Sequence, residues 1–193
     1  MQKITLPKFY LSYSQMTCWL QNPERYKREY FENSDKLDTK YLRFGKASAK
    51  RREERELKPG ERTEYEIEVN IKGIPILSYI DFYDSNNNIF EEDKTGKVPW
   101  TSVKVHKHEQ LPFYATVLRA KIGKMPQSCT LNWFQTREQE GGGLQNEIEY
   151  TGIEKSFTRE FDESECDRIE DLILKVAEEI SEAYKKFIEE QIC

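Results

Sequence analysis

The stretch GIPILSYIDFYDSNNNIFEEDKTG, residues 73–96, decides how this 193-residue chain is read. Its first part, IPILSYIDFYD, is apolar and strand-like. The run Asp84-Ser85-Asn86-Asn87-Asn88 then forms a turn, and NIFEEDKTG is a second strand. Asp81 stands near the end of an otherwise apolar run, where a carboxylate is costly to bury unless something cationic compensates it. Glu92 and Lys94 are two apart, so in a strand both project from one face while the Asp93 side chain points the other way. If the two strands are neighbours across the Asn-rich turn, Asp81 and Glu92 converge beside Lys94.

Two converging carboxylates and a backbone carbonyl, that of Asp93, make a hard oxygen site suited to Mg²⁺ or Mn²⁺. Phosphodiester hydrolysis needs such parts: the metal polarises the phosphoryl oxygen and acidifies a water, and a lysine orients that nucleophile or offsets transition-state charge. Alone, an E-x-K triplet in a chain that is 34% charged is most simply a surface strand. The combination carries more, because the aspartate ends one apolar strand, the triplet ends the next, and Thr95-Gly96 follows at once.

Outward from this hairpin the pattern alternates between helix and strand. EYEIEVNIKG, residues 64–73, places Tyr65, Ile67, Val69 and Ile71 at period two and reads as a further strand. Upstream, SYSQMTCWLQNPERYKREYFEN is a first helix capped by Ser12 or Ser14 and broken at Asn22-Pro23, and Thr39 to about Leu57 is a second, stopped by Lys58-Pro59-Gly60. Downstream a helix begins near Glu109 with Pro112 in its first turn, and CTLNWFQT is a strand. A Gly-rich loop at 138–144 and two strands, 146–150 and 155–161, precede a long final helix. There Ile169, Leu172, Ile173, Val176, Ile180, Ala183 and Phe187 form one apolar stripe. This order predicts an α/β (α+β mixed) fold, a mixed central sheet flanked by helices. One domain over 1–193 is expected, with N-terminal helices to 60, a catalytic core at 61–136, and extra strands with an acidic helix at 137–193.

The formal net charge of -5 is uneven along the chain. Residues 154–193 hold 13 acidic against 6 basic side chains, leaving 22 acidic and 24 basic in residues 1–153. Basic clusters at Lys40, Arg43, Lys46, Lys50, Arg51, Arg52 and Arg55, and at Lys94, Lys97, Lys104 and Lys107, are candidates for phosphate contact. The acidic final helix is a packing or protein-partner surface. Four cysteines without C-x-x-C spacing suggest reduced thiols rather than a zinc or redox site, with Cys129 in the core. Without an apolar run near the roughly 20 residues of a membrane span, or the h-region of a secretory signal, a cytoplasmic protein with no membrane partner is expected. His106 and His108 read as part of an exposed, Lys-rich connector.

FEEDKTGK with the preceding GIPILSYID resembles the core of PD-(D/E)XK nucleases, in the branch of RecB nuclease domains and CRISPR-associated RecB-like exonucleases. That branch carries a G-x-x-D-type strand, then D/E-x-K-T-G, then a Q-x-x-x-Y helix. The last is matched by Gln110-Leu111-Pro112-Phe113-Tyr114, whose Gln110 and Tyr114 share a helix face. LSYSQMTCWLQNPERYKREYF is similar to the family's opening L-S-x-S and short helix, so the likeness covers roughly residues 10–136. It implies a restriction-endonuclease-like core and a Mg²⁺- or Mn²⁺-dependent deoxyribonuclease with DNA as partner. It also implies an exonuclease of recombination or repair from a phage or mobile element, with Asp81, Glu92, Lys94, Gln110 and Tyr114 as its catalytic set.

Three departures bear on the transfer. The family's G-x-x-x-H aligns with Gly45-Lys46-Ala47-Ser48-Ala49, so alanine replaces a metal-binding histidine; Glu53, one turn on along the same face, is a substitute ligand. Asn22, not cysteine, precedes Pro23 and no C-terminal cysteine triplet exists, so no iron-sulfur cluster is expected. The extension past residue 137 carries no recognised motif. A catalytically inactive nuclease-fold protein, binding DNA or a protein partner, is the alternative that Ala49 supports.

Overall fold

The structure is a computed structural model that describes residues 4–34, 56–138 and 148–192. The expected helix at Thr39–Leu57, with Lys46, Ala49, Lys50, Arg51 and Glu53, lies almost wholly outside the described residues.

Helix α1, Tyr13–Gln21, starts where the Ser12 hydroxyl accepts from the Gln15 amide at 3.3 Å. It stops at Asn22, whose side chain caps the Arg25 amide at 2.9 Å and opens the short α2, Pro23–Tyr26, with proline in the first turn. The chain continues as a π-helical turn over Lys27–Phe31 that buries Tyr30 and Phe31. The predicted break at Asn22-Pro23 is therefore a re-capping within one helical arm.

Strands β1 (Glu61–Ile71), β2 (Ile74–Asp84), β3 (Ile89–Gly96), β4 (Ser128–Glu138) and β5 (Ile148–Arg159) form one sheet in sequential order. β1, β2 and β3 pair antiparallel, β3 and β4 parallel, and β4 and β5 antiparallel, so the sheet is mixed. The parallel pair requires a crossover. It is made by α3 (Ser102–His106) and α4 (Gln110–Ile122), which ends at Gly123 with φ +80°. The final helix α5, Glu163–Ile192, packs on α4, α1 and β2. Its stripe of Ile169, Ile173, Val176, Ala177 and Ile180 is fully buried.

Two expectations are corrected. The described part of the run 146–150 and most of the run 155–161 belong to one strand, β5 (Ile148–Arg159), in which Gly152 takes φ +84° and the β4–β5 register shift between Phe134 and Thr136 absorbs the irregularity. The connector before α4, read as exposed, is partly packed: Thr101 caps the five-residue α3, whose Val105 is buried. Cys129 is buried in the core as expected. Among the described residues, no helix is long and apolar enough to cross a membrane.

Candidate active site

The turn at 84–88 is held by Asp84, whose carboxylate accepts from the Asn86 amide at 2.9 Å and the Asn87 side chain at 2.6 Å. Behind it β2 and β3 pair as Phe82↔Glu91, Tyr83↔Phe90 and Asp84↔Ile89. One further step in this register sets Asp81 opposite Glu92. The ladder stops short of that step, and Asp81 Oδ2 instead accepts from the Asp93 amide at 2.7 Å. Ile80 and Tyr83, an odd number of residues apart, both join the main core cluster, so the in–out alternation of β2 changes phase across Asp81. Glu64, opposite Asp81 on β1, carries φ +45° at the same point. Both strands are irregular where Asp81 sits.

Glu92 projects to the core face and is 3% exposed. One of its oxygens accepts from Lys94 Nζ at 2.5 Å, and the other, Oε2, is buried with no hydrogen-bond partner. Burial pushes its carboxyl up to about 8; Lys94 pulls it down and the Asp81 and Asp93 charges push it up. Lys94 Nζ also donates to Gln110 Oε1 at 2.6 Å, and Gln110 Nε2 donates to the Tyr114 hydroxyl at 2.7 Å. Burial, and then the Glu92 charge, hold that phenol well above its ordinary range. The β3 triplet and the first turn of α4 thus form one continuous chain, Glu92–Lys94–Gln110–Tyr114, with Asp81 at its edge.

Asp93 goes the other way, as expected from strand geometry. Its carboxylate shares the Asn132 amide with Glu91, at 3.1 and 3.0 Å, on the opposite face of the sheet. Of the predicted phosphate-binding residues, Lys97 pairs with Glu138 at 2.7 Å, Lys104 lies 4.2 Å over the Trp100 ring, and Lys107 ends α3. All three are exposed on the connection between β3 and α4. Lys46, Lys50, Arg51 and Glu53 lie outside the described residues.

The donor set at Asp81 and Glu92 fits a divalent cation in its chemistry: hard oxygens only, one of them buried and lacking a partner. Mg²⁺ is commonly held by one or two carboxylates while keeping several waters. Among the described residues, no group of three or more His, Cys, Asp or Glu side chains comes together to hold a metal.

Two neighbours escaped the sequence reading. His108 is not on an exposed connector: it is half-buried, its Nε2 lies 3.2 Å from Gln110 Oε1, and its ring meets those of Trp100 and Tyr13 edge-on. Burial, then the Lys94 charge, push its imidazole down to about 4. Tyr13, from the L-S-x-S region, packs on Phe113, and burial followed by the charges of Glu109 and Glu92 raises its phenol to about 12. A cleft of about 550 Å³ opens beside the chain of hydrogen bonds, lined by Gln110, Tyr114, Lys8, Ser12, Ser14 and Ser78 among others.

No family model matches the sequence, and no curated protein matches it. Solved structures do. An exonuclease candidate of Eubacterium rectale superposes with a TM-score of 0.59 at 11% identity, covering 89% of this chain and 82% of its own. A phage-related exonuclease of Haemophilus somnus 129PT gives 0.54 at 12% identity, with 88% and 81% covered. The alkaline exonuclease LHK-Exo of Laribacter hongkongensis gives 0.51 at 12% identity, with 95% and 94% covered. The chain shares the fold of these exonucleases. At such identities the likeness concerns the fold; the finer placement in the RecB or CRISPR-associated branch rests on the motifs alone.

Proposed function

We propose that the protein is a metal-dependent DNA nuclease whose centre is Asp81, Glu92 and Lys94. The observation that carries this reading is the buried, unpartnered Oε2 of Glu92 beside Asp81. A carboxylate oxygen removed from water without a partner is costly, and a divalent cation shared with the neighbouring Asp81 carboxylate is the natural compensation.

Each side chain then has a role. Asp81 and Glu92 would hold the cation, with the Asp93 carbonyl as a third oxygen. When bound, Mg²⁺ or Mn²⁺ would polarise the phosphoryl oxygen and lower the pKa of a bound water. Lys94, held between Glu92 and Gln110, presents its ammonium where the attacking oxygen and the extra phosphoryl charge must lie. Gln110 fixes that ammonium, Tyr114 fixes Gln110, and both line the neighbouring cleft. Lys97, Lys104 and Lys107 offer phosphate contacts on one rim. Lys46, Lys50 and Arg51 are proposed for the same role and Glu53 as a further ligand on sequence grounds. Exonuclease action is the form that the fold neighbours suggest, while a role in recombination or repair and a phage origin rest on the motif likeness alone.

A second reading has one observation in its favour: Ala49 stands where the related nucleases keep a metal-binding histidine. On that reading the fold binds DNA or a protein partner without cleaving. The test is incubation with end-labelled linear and closed circular DNA, single- and double-stranded, in Mg²⁺, Mn²⁺ or EDTA. Metal-dependent loss of linear DNA supports the exonuclease, cleavage of circles an endonuclease, and intact DNA under both metals the binding module.

A further inference from the structure

Gln110 joins the site by both ends of its amide, and the two ends are not equivalent. Lys94 carries only donors, so the amide oxygen must face it, which leaves the nitrogen to donate to Tyr114. Lys94 is not the only group placed to enforce this orientation. Its ammonium is shared with Glu92 and, on the nuclease reading, with the reacting oxygens as well, so its hold on the amide oxygen is divided. A flip would aim the Gln110 nitrogen at Lys94.

His108 supplies the second constraint. Its Nε2 lies 3.2 Å from the same Gln110 oxygen that Lys94 uses. A carbonyl oxygen has two lone pairs and accommodates both donors, provided that the imidazole proton sits on Nε2. The ring is held in place from two sides, by Trp100 at 4.8 Å and Tyr13 at 6.4 Å between centroids, with interplanar angles of 74° and 76°. Those contacts come from the β3–α4 connection and the start of α1. Burial also keeps the imidazole uncharged in neutral solution, so it adds no second positive charge against Lys94.

We infer that His108 is a positioning residue: its Nε2–H holds the Gln110 oxygen towards Lys94, independently of where the Lys94 ammonium points. This rests on the nuclease reading for its effect on rate, but not for its effect on the amide itself.

Two variants separate donor from packing. His108→Phe keeps a ring between Trp100 and Tyr13 and removes the donor, whereas His108→Gln restores an N–H at about the reach of Nε2. His108→Phe is expected to lower kcat on the order of 10- to 100-fold, the scale of a small misplacement at a reacting centre, with KM for DNA little changed. His108→Gln should recover most of the loss. In the double variant, His108→Phe should add little to the effect of Gln110→Ala, since both remove the same orientation. Independently of activity, the Gln110 side-chain amide protons, followed by ¹⁵N NMR, should be dispersed in the wild type and His108→Gln and move towards free-amide shifts in His108→Phe. An unchanged Gln110 amide signal in His108→Phe overturns the inference, as does a loss that multiplies with Gln110→Ala. If the wild type cleaves nothing while the amide signals change as expected, the nuclease reading falls and the positioning role stands.

Discussion

The two faces of β3 hold acidic residues one position apart and treat them in opposite ways. On the open face, Glu91 and Asp93 share one neutral amide from Asn132 and stay half-exposed. On the core face, Glu92 is buried, keeps one oxygen without a partner, and has its carboxyl pushed up to about 8. The strand is the same, so the difference comes from what covers it. α4 lies over the core face and brings Gln110 and Tyr114, whereas the open face meets polar side chains and water. Ordinary acidic residues of a sheet look like Glu91 and Asp93. Glu92, paired with Lys94 through one oxygen and without a hydrogen-bond partner at the other, is the arrangement that the proposed cation would complete.

Breaking the core-face arrangement should have the largest effect. Lys94→Ala is expected to reduce the single-turnover cleavage rate on the order of 10²- to 10³-fold, the scale of removing one preorganised charge donor. Asp93→Asn, which leaves the backbone carbonyl in place, should cleave close to the wild-type rate. Equal losses in the two variants would remove the distinction between the faces.

The comparison sharpens in stability measurements without metal. Glu92→Gln keeps an oxygen for Lys94 but removes the buried charge, so Tm at pH 8 should rise by roughly 2–4 °C for each kcal/mol relieved in a chain of this size, while cleavage is lost. The pH dependence has a definite sign. The Glu92 carboxyl is raised by burial to about 8, so the folded chain binds a proton that the unfolded chain releases near the ordinary carboxylate value. Its stabilising contribution is therefore present below that ordinary value and is lost as pH rises towards about 8. Chemical denaturation of the metal-free protein between pH 5 and 8 should show this decline, and Glu92→Gln should flatten it. The smallest effect is on the open face, where Glu91→Gln should change stability by no more than about 0.5 kcal/mol.

Much of this was legible in the sequence because it depends on short-range geometry. Period-two alternation reveals β1 and β2, the Asp84–Asn88 turn joins β2 to β3, and two-residue spacing puts Glu92 and Lys94 on one face. Helical spacing sets Gln110 beside Tyr114. What was not legible depends on tertiary packing. Gly152 looks like a break, and only the pairing of β4 with β5 turns it into an irregularity within one strand. His108 sits in a polar, Lys-rich segment, and nothing local shows that Trp100 and Tyr13 cover it. A histidine two residues before the Q-x-x-x-Y glutamine was the available signal, since the start of a helix is often tied down by the residues just before it. The phase change at Asp81 was equally hidden, because ILSYIDFY is apolar on both faces.

The central claim is that the core face of β3 holds a divalent cation through Glu92 and Asp81, and calorimetric titration of Mn²⁺ into the metal-free protein at pH 7 tests it most directly. The account predicts binding accompanied by proton release in the wild type, since the Glu92 carboxyl must give up its proton to the ion, and loss of that binding in Glu92→Gln and Asp81→Asn. Binding of equal strength in the wild type and both variants, or none in any of them, would contradict it.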